Sequence, residues 1–328
     1  MANPEILPPI QTDAPPQPPR STIFRGPDGI RAGWRVLMFF ALMGVLAVFL
    51  FTILRFTTKG NISVSQLTPL GLGLSEGAIF LLAAIPALIM ARIERRNFGQ
   101  YGLPARFAFR QDFWNGALIG FLAITACLFG IFALHGFRIT GMGIHGATIV
   151  SATAAWGATF VMVGLAEEFM FRGYLQFTFT TGMGFWPAAI LLSALFGLAH
   201  SGNPGESKSG LVAVVLFGLL FCLFLRRTGN LWLAVGFHAG WDWGQTFFYG
   251  VPDSGIPAFH NLFNSAFNGP RWLTGGSVGP EASIFTPIVL GIIATWFSRA
   301  YRLNRYPVSG IKTQESVSRQ SSVLSTDH

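Results

Sequence analysis

The sequence is short of charge. Only 11% of its 328 residues are Asp, Glu, Lys or Arg, against about a quarter in soluble domains. A chain this poor in charge cannot cover a water-facing globule, which excludes the ordinary soluble enzyme. Cysteine is scarcer still. Cys127 and Cys222 both lie in apolar stretches, so neither a disulfide framework nor a cysteine-type metal cluster can be built. The compact HExxH zinc-protease signature is missing, and no repeat of fixed period is present. The N-terminus, "MANPEILPPIQTDAPPQPPR", lacks the basic-then-apolar pattern of a cleavable signal. Its proline content predicts a disordered tail over 1–30, and the polar stretch 303–328 predicts a second one.

What the chain does have is long apolar runs. Half of it, 51%, is hydrophobic, with a mean hydropathy of +0.51. Eight segments approach or exceed the roughly 17–25 residues that cross a ~30 Å hydrocarbon layer. They cover 34–55, 67–91, 113–135, 147–180, 186–202, 209–225, 229–249 and 283–300. The fold class predicted is an all-α polytopic membrane helix bundle over 31–302, with about eight transmembrane helices and a motif-bearing core near 147–250. The fourth run is too long for one straight crossing and must tilt or project.

Basic residues test that count. Eight crossings put both termini on one side, together with 16 of the 22 Lys and Arg residues. The other side holds five, Arg55, Lys59, Arg138, Lys208 and Arg271, with Arg172 set aside within the fourth run. The positive-inside rule then predicts an integral protein of the cell membrane with both tails in the cytoplasm. It also disposes of nucleic acid as a partner for the net charge of +8, because the cations are spread between spans. The partner this distribution fits is the lipid bilayer. The basic, aromatic stretch 91–112 is expected along the inner surface, and 250–282 as an external loop or partly re-entrant cap.

Ionisable groups at membrane depth cost roughly 2.5–3.5 kcal/mol on insertion scales, so they face a protein interior or a wet cavity. Here they are Glu76, Glu167, Glu168, Arg172, His200, His238 and Asp242. Glu168 and Arg172 are four apart and can pair on one helical face, while Glu167 points about 100° away. His238 and Asp242 are also four apart, which lets the carboxylate orient the imidazole. Counted from Met183, Glu167 lies 16 residues back and His200 17 forward, nearly equal depths in an antiparallel hairpin. His238 fits less simply. It lies about 15 Å of rise from its own turn, against roughly 24 Å for Glu167, so the hairpin must protrude for the three to meet.

These residues resemble a known pattern. "EEFMFR" (Glu167–Arg172), "FGLAH" (Phe196–His200) and "HAGWD" (His238–Asp242) are similar, in order, to the EExxxR, FxxxH and HxxxN/D motifs of the CAAX prenyl protease and bacteriocin-processing family of intramembrane proteases. The resemblance covers roughly 155–250. It implies hydrolysis of a peptide bond in a membrane-associated protein or peptide substrate. It makes Glu167 the general base with His200 as its partner, and His238 the group that stabilises the oxyanion. Asp242 stands where the family commonly has a neutral Asn. It is therefore expected to orient His238 or to belong to a metal site, and Glu168 and Arg172 to orient one another. If a divalent ion such as zinc takes part, as in a metalloprotease, its ligands are expected to be His200, His238 and Glu168. A metal-free glutamate mechanism needs the same residues, and both stay open at this point. Two other functions compete, a proton-coupled small-solute transporter using Glu76, Glu167 and the histidines as a relay, and a non-catalytic immunity or scaffold protein.

Overall fold

The computed structural model describes residues 22–26, 29–57 and 68–306, without the side chains of Leu54 and Thr57. Most of the two predicted tails lies outside them. The end of the N-terminal one is ordered: β1 (Arg25–Gly26) pairs with β2 (Gly29–Ile30), and Phe24 packs on Trp34 with ring centroids 4.8 Å apart.

The membrane-embedded part is a helix bundle. Its long helices are α1 (Ala32–Thr57), α2 (Pro69–Ile93), α3 (Gln111–Ala133), α4 (Thr148–Arg172) with α5 (Tyr174–Met183), α6 (Phe185–Ala199) and α7 (Lys208–Thr228). By length and composition six such helices among the described residues can cross a membrane, α4 and α5 counting as one and α6 as Phe185–Gly202. The remaining two predicted crossings are shorter. α8 (Trp232–Asp242) continues into a π-helical turn, Trp243–Phe248, and α10 (Phe285–Ala300) has 16 residues. The chain is an integral membrane protein.

The long fourth run resolves its excess length by breaking. Helix α4 stops at Arg172, and Gly173 turns the chain into α5 with ψ of −124°. A Cβ at position 173 would strike the Phe169 carbonyl and lie 2.7 Å from its ring, so only glycine fits. The break puts Glu167 five residues from the end of α4 and His238 six residues from the start of α8. These positions correspond to about 8 and 9 Å of rise, which removes the mismatch in depth.

Two small-residue stripes hold α3 and α8 together. A Cβ on Gly116 or Gly120 would collide with the carbonyl of Leu233 or Phe237, and one on Gly236 or Gly240 with that of Phe113 or Ala117. This reciprocal pair of GxxxG steps brings the two backbones into contact, as small residues do between membrane helices. His238 lies between the two glycines of α8 and is carried by the most tightly packed pair in the bundle.

Outside the bundle, β3 (Phe137–Met142) pairs antiparallel with β4 (Phe263–Phe267), Phe137 opposite Phe267 and Met142 opposite Phe263, with an irregularity between Ile139 and Gly141. An all-α reading misses this ribbon. Strand β3 follows α3, whereas β4 lies in the connection after α8, which also carries the four-residue helix α9 (Arg271–Thr274). At the other end of the bundle the 91–112 stretch forms two 3-10 turns. Tyr101 there is buried beside Tyr174 and Phe177. A buried polar knot ties the same end: Glu94 accepts from Tyr174 at 2.6 Å, Arg35 at 3.0 Å and Tyr101 at 3.2 Å, while Arg35 also donates to Thr181 at 2.6 Å.

The glycine contact makes a specific demand. Gly240→Ala is expected to destabilise the protein by about 1–3 kcal/mol through overpacking, measured by unfolding of the detergent-solubilised chain. Gly44→Ala on α1, where nothing lies within 4 Å of an added Cβ, is expected to leave stability unchanged.

Candidate active site

Three separate helices bring the motif residues together. Glu167, Glu168 and Arg172 come from the end of α4, His200 from the end of α6, and His238 and Asp242 from α8. Glu167, His200, His238 and Asp242 line a cavity of about 740 Å³ within the bundle, with Glu168 and Arg172 buried behind it. Glu76 of α2 lines the same cavity, and its Oε2 has no hydrogen-bond partner among the described residues.

Glu168 holds the site together from behind. Its side chain is fully buried, as is that of Arg172, and the two pair at 3.4 Å. The same Oε1 accepts from His238 Nδ1 at 3.0 Å. The Arg172 guanidinium also lies 4.2 Å from the centroid of the Phe196 ring, a cation–π contact that offsets part of its desolvation. Gly218 of α7 makes room for it, because a Cβ there would collide with Nη2. The arginine is thereby clamped between α4, α6 and α7.

In front of this pair stands Glu167. Its Oε2 is 3.6 Å from His238 Nε2 and 3.9 Å from His200 Nε2. His200 Nδ1 is 2.9 Å from the Phe196 carbonyl, an acceptor only. That nitrogen must therefore carry the proton, which leaves Nε2 of the neutral ring as an acceptor facing Glu167. His238 stacks on Phe221 with centroids 5.5 Å apart. Asp242 Oδ2 is 3.5 Å from His238 Nε2.

Two expectations change. Asp242 does not set the orientation of His238, because Glu168 has taken Nδ1 and Asp242 lies on the Nε2 side, next to Glu167. Both ring nitrogens of His238 thus face carboxylate oxygens, an arrangement that the doubly protonated ring satisfies. Nor do His200, His238 and Glu168 fit one metal ion. Glu168 lies behind the His238 ring on Nδ1, shares its oxygen with Arg172, and points away from the side where the two Nε2 atoms meet. Among the described residues no group of three such side chains is arranged to hold an ion.

Other groups at the site were harder to read from sequence. Asp253, Ser254 and Glu281, in the connection after α8, line the same cavity. Asp253 accepts from Thr246 Oγ1 at 2.8 Å, and Glu281 from the backbone and hydroxyl of Ser254 at 2.9 and 2.8 Å. Burial pushes the Asp253 carboxyl above its ordinary range. Burial and then the nearby Asp253 charge push Glu281 well above it. Their position in a polar loop hides them, since only the folded connection brings them over the bundle.

The buried pair is testable. Removing one partner strands the other charge, so Arg172→Met is expected to cost about 3–5 kcal/mol, measured by unfolding in detergent. Adding Glu168→Gln to Arg172→Met is expected to recover most of that loss.

Comparison with known proteins agrees with this geometry. Residues 149–244 match the family model described as Rce1-like, "Type II CAAX prenyl endopeptidase Rce1-like". No curated protein matches the chain. The matched segment runs from the start of α4 into the π-helical turn and contains all six motif residues. Over residues 149–244 the chain is similar to the Rce1-like type II CAAX prenyl endopeptidases, a family of the CAAX-protease and bacteriocin-processing group.

Proposed function

We propose that the protein is an intramembrane endopeptidase that cuts a peptide bond in a membrane-associated protein or peptide, with Glu167 as the base that activates water. The observation that carries this reading is the convergence of Glu167 Oε2 with the Nε2 atoms of His200 and His238, at 3.9 and 3.6 Å, on the wall of a cavity within the bundle. Both gaps exceed a direct hydrogen bond, and a water molecule held among the three groups satisfies them all.

Each residue then has one task. Glu167 takes a proton from the water as its oxygen attacks the scissile carbonyl carbon. His200, anchored through Nδ1 to Phe196, accepts the water's other hydrogen and aims its lone pair. His238, held from behind by Glu168, donates from Nε2 to the oxyanion. When the tetrahedral intermediate collapses, the C–N bond breaks and the proton on Glu167 passes to the leaving amine. Asp242 pairs with the donating side of His238, so its charge is matched locally and not presented alone to the oxyanion. No step is assigned to a metal, because the expected ligand set does not converge.

The division of basic residues supports a cell-membrane protein with both termini in the cytoplasm. Apolar and aromatic walls, including Phe196, Phe217 and Trp241, suit an extended hydrophobic segment of the substrate.

Replacing Glu167 by Gln, or His200 by Ala, is expected to lower cleavage about 10²–10⁴-fold while the protein still inserts and melts normally. The measurement is a comparison of membrane-protein fragments in cells producing the wild type or Glu167→Gln. Identical fragments in both would overturn the assignment.

A further inference from the structure

The cavity has an electrostatic asymmetry that peptide hydrolysis itself does not require. Of the described residues lining it, Glu76, Glu167, Asp242, Asp253 and Glu281 are acidic, and none is Lys or Arg. Three of the five continue past the catalytic groups toward the α8–α10 connection. Asp242 is one helical turn beyond His238, Asp253 is tied to Thr246 a further turn on, and Glu281 joins Asp253 through Ser254. Asp242 is only 5% exposed, lines the cavity and makes no side-chain hydrogen bond among the described residues; its polar contact is with His238 at 3.5 Å. His238 faces Glu167 and Asp242, whereas beyond them the buried carboxylates of Asp253 and Glu281 line the far end of the cavity with no Lys or Arg in its lining.

Such a concentration is costly unless a positive group completes it. An ammonium or guanidinium supplies several donors to acceptors of this kind. The apolar remainder of the cavity takes the flanking hydrophobic residues.

We infer that the acidic end of this cavity is a specificity pocket for a basic side chain, Lys or Arg, on the substrate, close in sequence to the bond that is cut. Its place on the substrate follows from geometry. Thr246, which holds Asp253, is eight residues from His238, about 12 Å of helical rise. An extended peptide advances about 3.3 Å per residue, and a lysine side chain reaches part of the way. The basic residue thus falls roughly two to four positions from the scissile bond. This inference rests on the peptidase reading for the meaning of that bond, but the pocket can be tested by binding alone.

The test uses the full chain in detergent, carrying Glu167→Ala so that bound peptide stays intact. Three synthetic ten-residue apolar peptides differ at one position, Lys, N-acetyl-lysine or Glu, and binding is read from the fluorescence of Trp156 and Trp241 in the cavity wall. The Lys peptide is expected to bind at least tenfold more tightly than its acetylated form, and the Glu peptide more weakly than both. Adding Asp253→Asn with Glu281→Gln is expected to abolish the Lys preference and leave acetyl-lysine binding unchanged. Should that combination fail to fold, Asp253→Asn alone is expected to reduce the preference severalfold. A Lys peptide that does not bind, or binds no better than its acetylated form, overturns the inference, as does a preference that survives the substitutions. Retained Lys preference with no cleavage by the wild-type chain would instead count against the peptidase reading.

Discussion

The carboxylate of Glu168 is the point on which the site depends. One oxygen serves two partners, the Arg172 guanidinium one turn along α4 and the Nδ1 of His238 on α8. A fully buried carboxylate without such partners would be intolerable at membrane depth. With them it becomes a joint between two helices. Phe196 packs against the same guanidinium, and its carbonyl orients His200, so a single buried cation organises all three motif segments. The front of the site, where Glu167 meets the two imidazoles, inherits its geometry from this concealed support.

Neighbouring glutamates thus take opposite duties because helical geometry separates them. Glu168 faces inward and is spent on structure, while Glu167 is partly open to the cavity, with 23% of its side chain exposed. The division explains why a chain so poor in charge carries two acids side by side. Each occupies an environment that the other cannot reach.

Much of this was legible in the sequence, where periodicity carries the information. Apolar runs placed the helices, four-residue spacings paired Glu168 with Arg172, and the hairpin count brought Glu167 level with His200. The break at Gly173 was not legible, because nothing local distinguishes that glycine from the many others; its necessity comes from the Phe169 carbonyl it must clear. The partner of His238 was misjudged for a related reason. Spacing within one helix favoured Asp242, whereas the stronger hydrogen bond comes from another helix, which spacing cannot see. Asp253 and Glu281 escaped because their burial is created by the long connection folding back over the bundle. That connection also hides β3 and β4, whose partners are more than a hundred residues apart.

The β3–β4 ribbon has a mechanical consequence. Strand β3 follows α3 and β4 lies in the connection after α8, so the two helices fused by their glycine stripes are fastened a second time above the bundle. Two fastenings at different heights suppress both sliding and hinging between them. The wall bearing His238 is therefore the fixed jaw of the chamber. Any motion that widens the chamber falls to the opposite side, where α1 is packed sparsely and little of its length is buried within the bundle.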